Sequence, residues 1–180
     1  MNDPDEKGRD GEHVPREISH PHLKEFARFL PELNKESDRG RVLISCSYLD
    51  ELLRQVLLSF LIDTKESVRL VEGFNAPLGT FSTRATAAFA LGLITTQEFH
   101  ECDTLRRIRN CFAHDVHASF DTQNIKDLIG NLTLAIKEHA GTAIDARSQY
   151  TSAAVALIMN WTNRAAYVGR QRRTEQTWPY

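Results

Sequence analysis

Apolar residues recur along this chain in steps of three and four, and no Val/Ile/Thr run alternates strictly, so the pattern predicts helices throughout. The longest opens at Ser37-Asp38-Arg39-Gly40 and runs to about Asp63. There Val42, Cys46, Leu49, Leu53, Val56, Leu57 and Phe60 form one stripe, widened by Leu43, Leu52 and Leu58, which predicts the central helix. Before it, His20-Pro21-His22 starts a short helix whose Phe26, Phe29, Leu30 and Leu33 share a face. After it, Thr64-Lys65-Glu66-Ser67 caps a shorter helix ending near Gly73. The stretch from Phe74 to Thr80 carries the proline and glycine of a turn. Thr80 or Ser82 starts a small-residue helix, Thr83 to Gly92, where Ala85, Ala87, Ala88 and Ala90 permit close approach.

Thr95-Thr96-Gln97-Glu98 has the form of a capping box and starts a helix with Phe99, Cys102, Leu105, Ile108 and Phe112 as its buried stripe. Arg106, Asn110 and His114 stand at steps of four on another face, with Arg107 adjacent. A loop from Asp115 to Ser119 leads to a helix capped by Asp121, running to about Ala140 and ended by Gly141. The last helix, from about Ala143 to Val168, places Ala154, Leu157, Ile158, Trp161, Ala165 and Val168 at helical spacing. The expected fold is all-α, a compact multi-helix bundle of about six to seven helices. It is laid out as a flexible leader over residues 1–17, a single helical domain over 18–170 and a tail over 171–180.

Composition narrows the function. With 180 residues, 41% hydrophobic and 26% charged, the chain can bury a core without staples. A formal net charge of -2 leaves no field over the whole surface to draw nucleic acid, so such binding needs a local patch. The 3 cysteines, Cys46, Cys102 and Cys111, have no paired metal spacing and suit a reducing cytoplasm. No signal peptide is visible, and Asp50, Glu51 and Arg54 interrupt the longest apolar segment, which argues against a membrane span. Neither a metal site nor a cofactor is expected. His20 and His22 alone do not supply the three or four convergent ligands that a metal needs.

The most chemically equipped segment is Arg109-Asn110-Cys111-Phe112-Ala113-His114. A fixed cation, an amide and a group that titrates near neutrality can together handle a phosphate. In metal-free RNA cleavage His114 would transfer protons, Arg109 would hold charge on the non-bridging oxygens, and Asn110 would orient either group. Arg106 and Arg107 stand one turn earlier as candidate nucleic-acid contacts. Geometry sets a condition, because positions five apart on an ideal helix diverge by about 140°. The pair therefore needs a frayed last turn or two protomers, and a symmetric dimer supplies the second arrangement. The spacing is also cheap: with about 16 arginines and 7 histidines in 180 residues, about 0.6 such pairings arise by chance. The structural alternative is a helix end, with His114 favouring the dipole and Arg109 paired to Asp103, Asp115 or an acid on the central helix. Tyr48, Asp50 and Arg54 are expected to tie the central helix to this one, no role is expected for His117, and His100 and His139 read as surface residues.

The run Asn75-Ala76-Pro77-Leu78-Gly79-Thr80-Phe81-Ser82-Thr83-Arg84 resembles the mannitol operon repressor family. The likeness continues through Ala90-Leu91-Gly92-Leu93-Ile94, Gln97-Glu98-Phe99 and a helix ending in Arg109 and His114, with Tyr48 to Leu53 fitting upstream. It spans roughly residues 38–135. It implies an all-helical transcriptional regulator that lacks a recognisable DNA-reading module. The Arg109 to His114 segment also resembles the Arg-x4–6-His motif of HEPN-domain ribonucleases, compact helical enzymes that are metal-independent and build their site across a two-fold dimer.

Two functions stand open on the sequence. The first is a cytoplasmic, homodimeric regulator of mannitol-repressor type, acting through a protein partner. The second is a HEPN-like metal-independent endoribonuclease, a toxin or defence effector, with Arg109, Asn110 and His114 as its catalytic set and RNA as its partner. Sequence-specific DNA reading is not supported. A helix-turn-helix needs an exposed recognition helix with flanking phosphate contacts. The junction at Gly92 offers only Arg106, Arg107 and Asn110.

Overall fold

The computed structural model describes residues 23–180. The leader over 1–17 and the helix start at His20-Pro21-His22 lie outside these residues. Helix α1 (Leu23–Lys35) is followed by the central helix α2 (Asp38–Phe60), capped by the Ser37 hydroxyl, which accepts from the Gly40 N–H at 3.1 Å. Then come α3 (Lys65–Val71), α4 (Phe81–Ala90) and α5 (Thr96–His114), each capped by a threonine that the sequence places there. Helix α6 (Gln123–Gly130) leads into a two-stranded hairpin, β1 (Glu138–His139) and β2 (Thr142–Ala143). Helices α7 (Ala146–Thr162) and α8 (Arg164–Gly169) close the bundle. The fold is all-α, and among the described residues no helix is long and apolar enough to cross a membrane.

Helix α2 is the hub: α1, α3, α4, α5, α7 and α8 all pack on it. Val42, Cys46, Leu49, Leu53, Val56 and Leu57 are buried as the stripe requires. From α5, Cys102, Leu105, Ile108 and Phe112 face them, and from α7 come Ala154, Leu157, Ile158 and Trp161. Phe120 wedges between Phe112 and Tyr150, at centroid distances of 5.1 and 5.4 Å. The Tyr150 hydroxyl lies 2.8 Å from the Ser45 hydroxyl, which answers the polar tip of a buried tyrosine. Trp161 is fully buried, and its indole N–H has no partner.

Two expected helices break, each for a visible reason. The helix expected from Asp121 to Ala140 stops at Gly130. Beyond it the buried Glu101 carboxylate, 2% exposed, accepts from the Thr133 N–H and hydroxyl at 2.9 Å each and from the Leu134 N–H at 3.0 Å. Those backbone donors would otherwise bond within a helix. The chain then turns at Ala140 and Gly141, with φ of 49° and 77°, a pair of left-handed residues that suits a two-residue hairpin. The last helix divides at Asn163, and Arg164 beyond the break donates to Glu98 at 2.6 Å and to the Leu93 carbonyl at 2.9 Å. Glu98 thus closes the capping box of α5 and anchors α8 together. Of the two starts open to α4, Thr80 is the one used: it exchanges a capping box with Thr83, and the helix begins at Phe81.

Candidate functional site

Arg84 explains why the stretch before α4 holds its irregular shape. Its guanidinium donates to the Leu78 and Val71 carbonyls, both at 3.0 Å, and to the Asp50 carboxylate at 2.6 Å. Gly79 follows from the same packing, since a Cβ there would stand 2.9 Å from the Ala76 carbonyl oxygen. The clamp fixes the N-terminus of α4 beside the last turns of α5.

Between these two helix ends and α2 lies a cavity of about 420 Å³. Arg106, Arg109 and Asn110 line it from α5, Thr80 and Ser82 from the start of α4, and Cys46 and Asp50 from α2. Three of the sequence-derived candidates therefore share one space. Arg109 donates to the Asn110 side-chain oxygen at 3.1 Å, and no described carboxylate lies within ion-pair distance of it. Arg106 is held by Asp103 at 2.6 Å. Arg84 engages one oxygen of Asp50, and the other is buried without a partner. Burial pushes the Cys46 thiol up to about 12, so it is a neutral wall and not a nucleophile. Two guanidiniums, an amide and the positive end of α4 equip this cavity to hold an anionic group. The groups lining it within one protomer include no imidazole to move a proton.

His114 lies outside this set. Helix α5 is regular to its end, where the Asp115 N–H donates to the Cys111 carbonyl at 3.0 Å, so the last turn is not frayed. His114 is exposed and does not line the cavity; Arg107 is exposed and likewise apart. His100 and His139 are exposed, as expected, and so is His117. Of the two arrangements open to Arg109 and His114, a single protomer does not provide the first.

Other expectations change. Asp50 binds Arg84 on α4, and Arg54 binds Glu51 and Glu72, so neither ties the central helix to α5; Tyr48 stacks on Phe29 at 4.6 Å. Arg109 has none of the acidic partners expected for it. The end of α5 is instead capped by a residue that sequence reasoning passed over. Arg39, at the start of α2, donates to the Phe112 carbonyl, to that of Asp115 at 2.7 Å and to that of Val116 at 3.0 Å. Nothing in its local sequence marks Arg39, because its partners lie more than seventy positions away.

No protein-family model and no curated protein matches this sequence. A search of solved structures finds a chain in the X-ray structure of the MtlR-HPr complex from Escherichia coli, with a TM-score of 0.58 and 21% identity. The match covers 79% of this chain and 97% of that one. In fold, the chain resembles the mannitol operon repressor.

Proposed function

We propose that this chain is a helical transcription-regulating protein that works through a protein partner and not by reading DNA. The observation that carries this reading is the likeness to a chain of the MtlR-HPr complex over 97% of that chain's length. By that likeness HPr is the first partner to try. Net charge fits as well: at -2 the chain offers no general attraction to a polyanion. Calorimetric titration with HPr tests it. We expect saturable binding with a dissociation constant in the micromolar range, and no retention of operator-length DNA duplexes at physiological salt. Absence of HPr binding together with sequence-selective DNA retention would overturn the reading.

A second reading, a HEPN-like metal-independent ribonuclease, is favoured by one observation: Arg109 is bonded to Asn110 in a cavity that also holds Arg106. It requires a homodimer, with His114 of one protomer completing the cavity of the other. RNA cleavage that persists in EDTA and vanishes in a folded His114→Ala variant supports it. A wild-type protein that leaves RNA intact rules it out.

A further inference from the structure

A second cavity, on the far side of α2 from Cys46 and Asp50, has no place in either reading above. It has a volume of about 420 Å³ and lies where the end of α1, the start of α2 and the first turns of α7 meet. Arg41, Arg147, Asn34, Ser148 and Thr151 line it. Arg41 is the unusual member, an arginine only 6% exposed. It donates to the Asn34 carbonyl at 3.2 Å and, at the limit of a hydrogen bond, to the Thr151 hydroxyl at 3.5 Å. Its Nε–H is buried with no partner, and no described carboxylate lies within ion-pair distance of its guanidinium.

A buried guanidinium is normally matched by a carboxylate, because an unpaired charge out of water is among the costliest features a fold can carry. Here a second charge of the same sign lines the same cavity. Arg147 enters the same cavity from α7, with its Nε 3.0 Å from Asp38 and one Nη donating to the Glu36 carbonyl at 3.2 Å. Desolvation and then the Arg147 charge lower the pKa of Arg41, while Asp38, Tyr150 and Glu36 act in the other direction. The hydroxyls relieve the cations little: Thr151 accepts from Arg41 only at the limit of a hydrogen bond, 3.5 Å. Ser148 donates to Asp145 at 2.9 Å and Thr151 to the Arg147 carbonyl at 2.7 Å.

From this geometry we infer that the cavity between α1, α2 and α7 binds a phosphate group, either free or as a monoester, between Arg41 and Arg147. Each guanidinium carries five N–H donors in a planar fork, and the bonds described leave more than half of each fork unused. One carboxylate is satisfied edge-on by a single fork. Two forks brought from two helices call for the larger number of acceptor oxygens on a tetrahedral oxyanion. The site is separate from the one the ribonuclease reading uses, since none of its residues lines the cavity at Arg109.

The test uses the full chain at constant ionic strength. Inorganic phosphate and glycerol phosphate are titrated separately by calorimetry, and their effect on thermal unfolding is followed in parallel. Saturable binding with a midpoint below about 1 mM and a matching rise in Tm are expected; the ligand with the lower midpoint identifies free ion or monoester. Arg147→Gln, a change at a half-exposed residue, should weaken binding at least tenfold without unfolding the protein. Arg41→Lys should do the same, and should also abolish phosphate-induced amide shifts at Ser148 and Thr151. Absence of binding at 10-fold higher phosphate, or binding that survives Arg147→Gln, overturns the inference. So does binding that is lost in Arg109→Gln instead, which would place the anion in the other cavity.

Discussion

The thiols show how strongly position governs side-chain chemistry in this chain. Cys46 and Cys102 are buried in the core, and burial holds both well above the ordinary cysteine value. With Cys46 at about 12, roughly one molecule in ten thousand carries that thiolate at pH 8. Alkylation of the native protein at pH 8 should therefore modify one thiol, the half-buried Cys111, and mass spectrometry of the labelled peptides checks this. The same shifts make a stability statement. Above about pH 9 the unfolded chain releases these protons and the folded one retains them, so stability falls as pH rises. Below that point neither thiol contributes any pH dependence. A denaturation series from pH 7 to 10.5 that stays flat would contradict the burial of these groups. At this scale the sequence was partly legible: Cys46 reads as core from its stripe. The same stripe gives no sign that Arg41, one residue before Val42, is buried too, because its burial depends on α7, more than a hundred positions away.

At the scale of elements, caps and stripes were readable and interruptions were not. Thr64, Thr80 and Thr95 cap where their side chains allow, because a cap is a local device. The end of α6 is set from elsewhere, by Glu101 reaching the loop after it. Replacing Glu101 with leucine would leave two backbone donors and a hydroxyl without an acceptor. We expect a loss of about 3 kcal/mol in urea-induced unfolding, with the far-UV signature of the remaining helices retained. Arg39 performs a comparable task for α5. Its removal in Arg39→Ala should cost about 1–2 kcal/mol and accelerate amide exchange from Phe112 to Val116 more than elsewhere. Equal exchange along the whole helix would show that Arg39 is not its cap. The Arg109 to His114 motif belongs to this scale as well. Its spacing on a regular helix already separates the pair, and the regularity of α5 through His114 makes that separation the actual one.

For the whole molecule, the helical class and the central position of α2 followed from periodicity, since one wide apolar face must be surrounded to be buried. What periodicity could not show is which surfaces the packing leaves as cavities. Each of the two arginine-lined cavities draws residues from three separate segments, so neither forms a motif in one window of sequence. The packing also leaves the 2 tryptophans of the chain in opposite surroundings: Trp161 is enclosed in the core with its indole N–H unpaired, and Trp178 in the tail is 65% exposed. The protein therefore carries two intrinsic fluorophores that report on different events. In the folded state acrylamide should quench a red-shifted component and spare a blue-shifted one, and Trp178→Phe should remove the quenchable part alone. Emission from Trp161 then follows the integrity of the interior, and emission from Trp178 follows whatever touches the tail, without any added label.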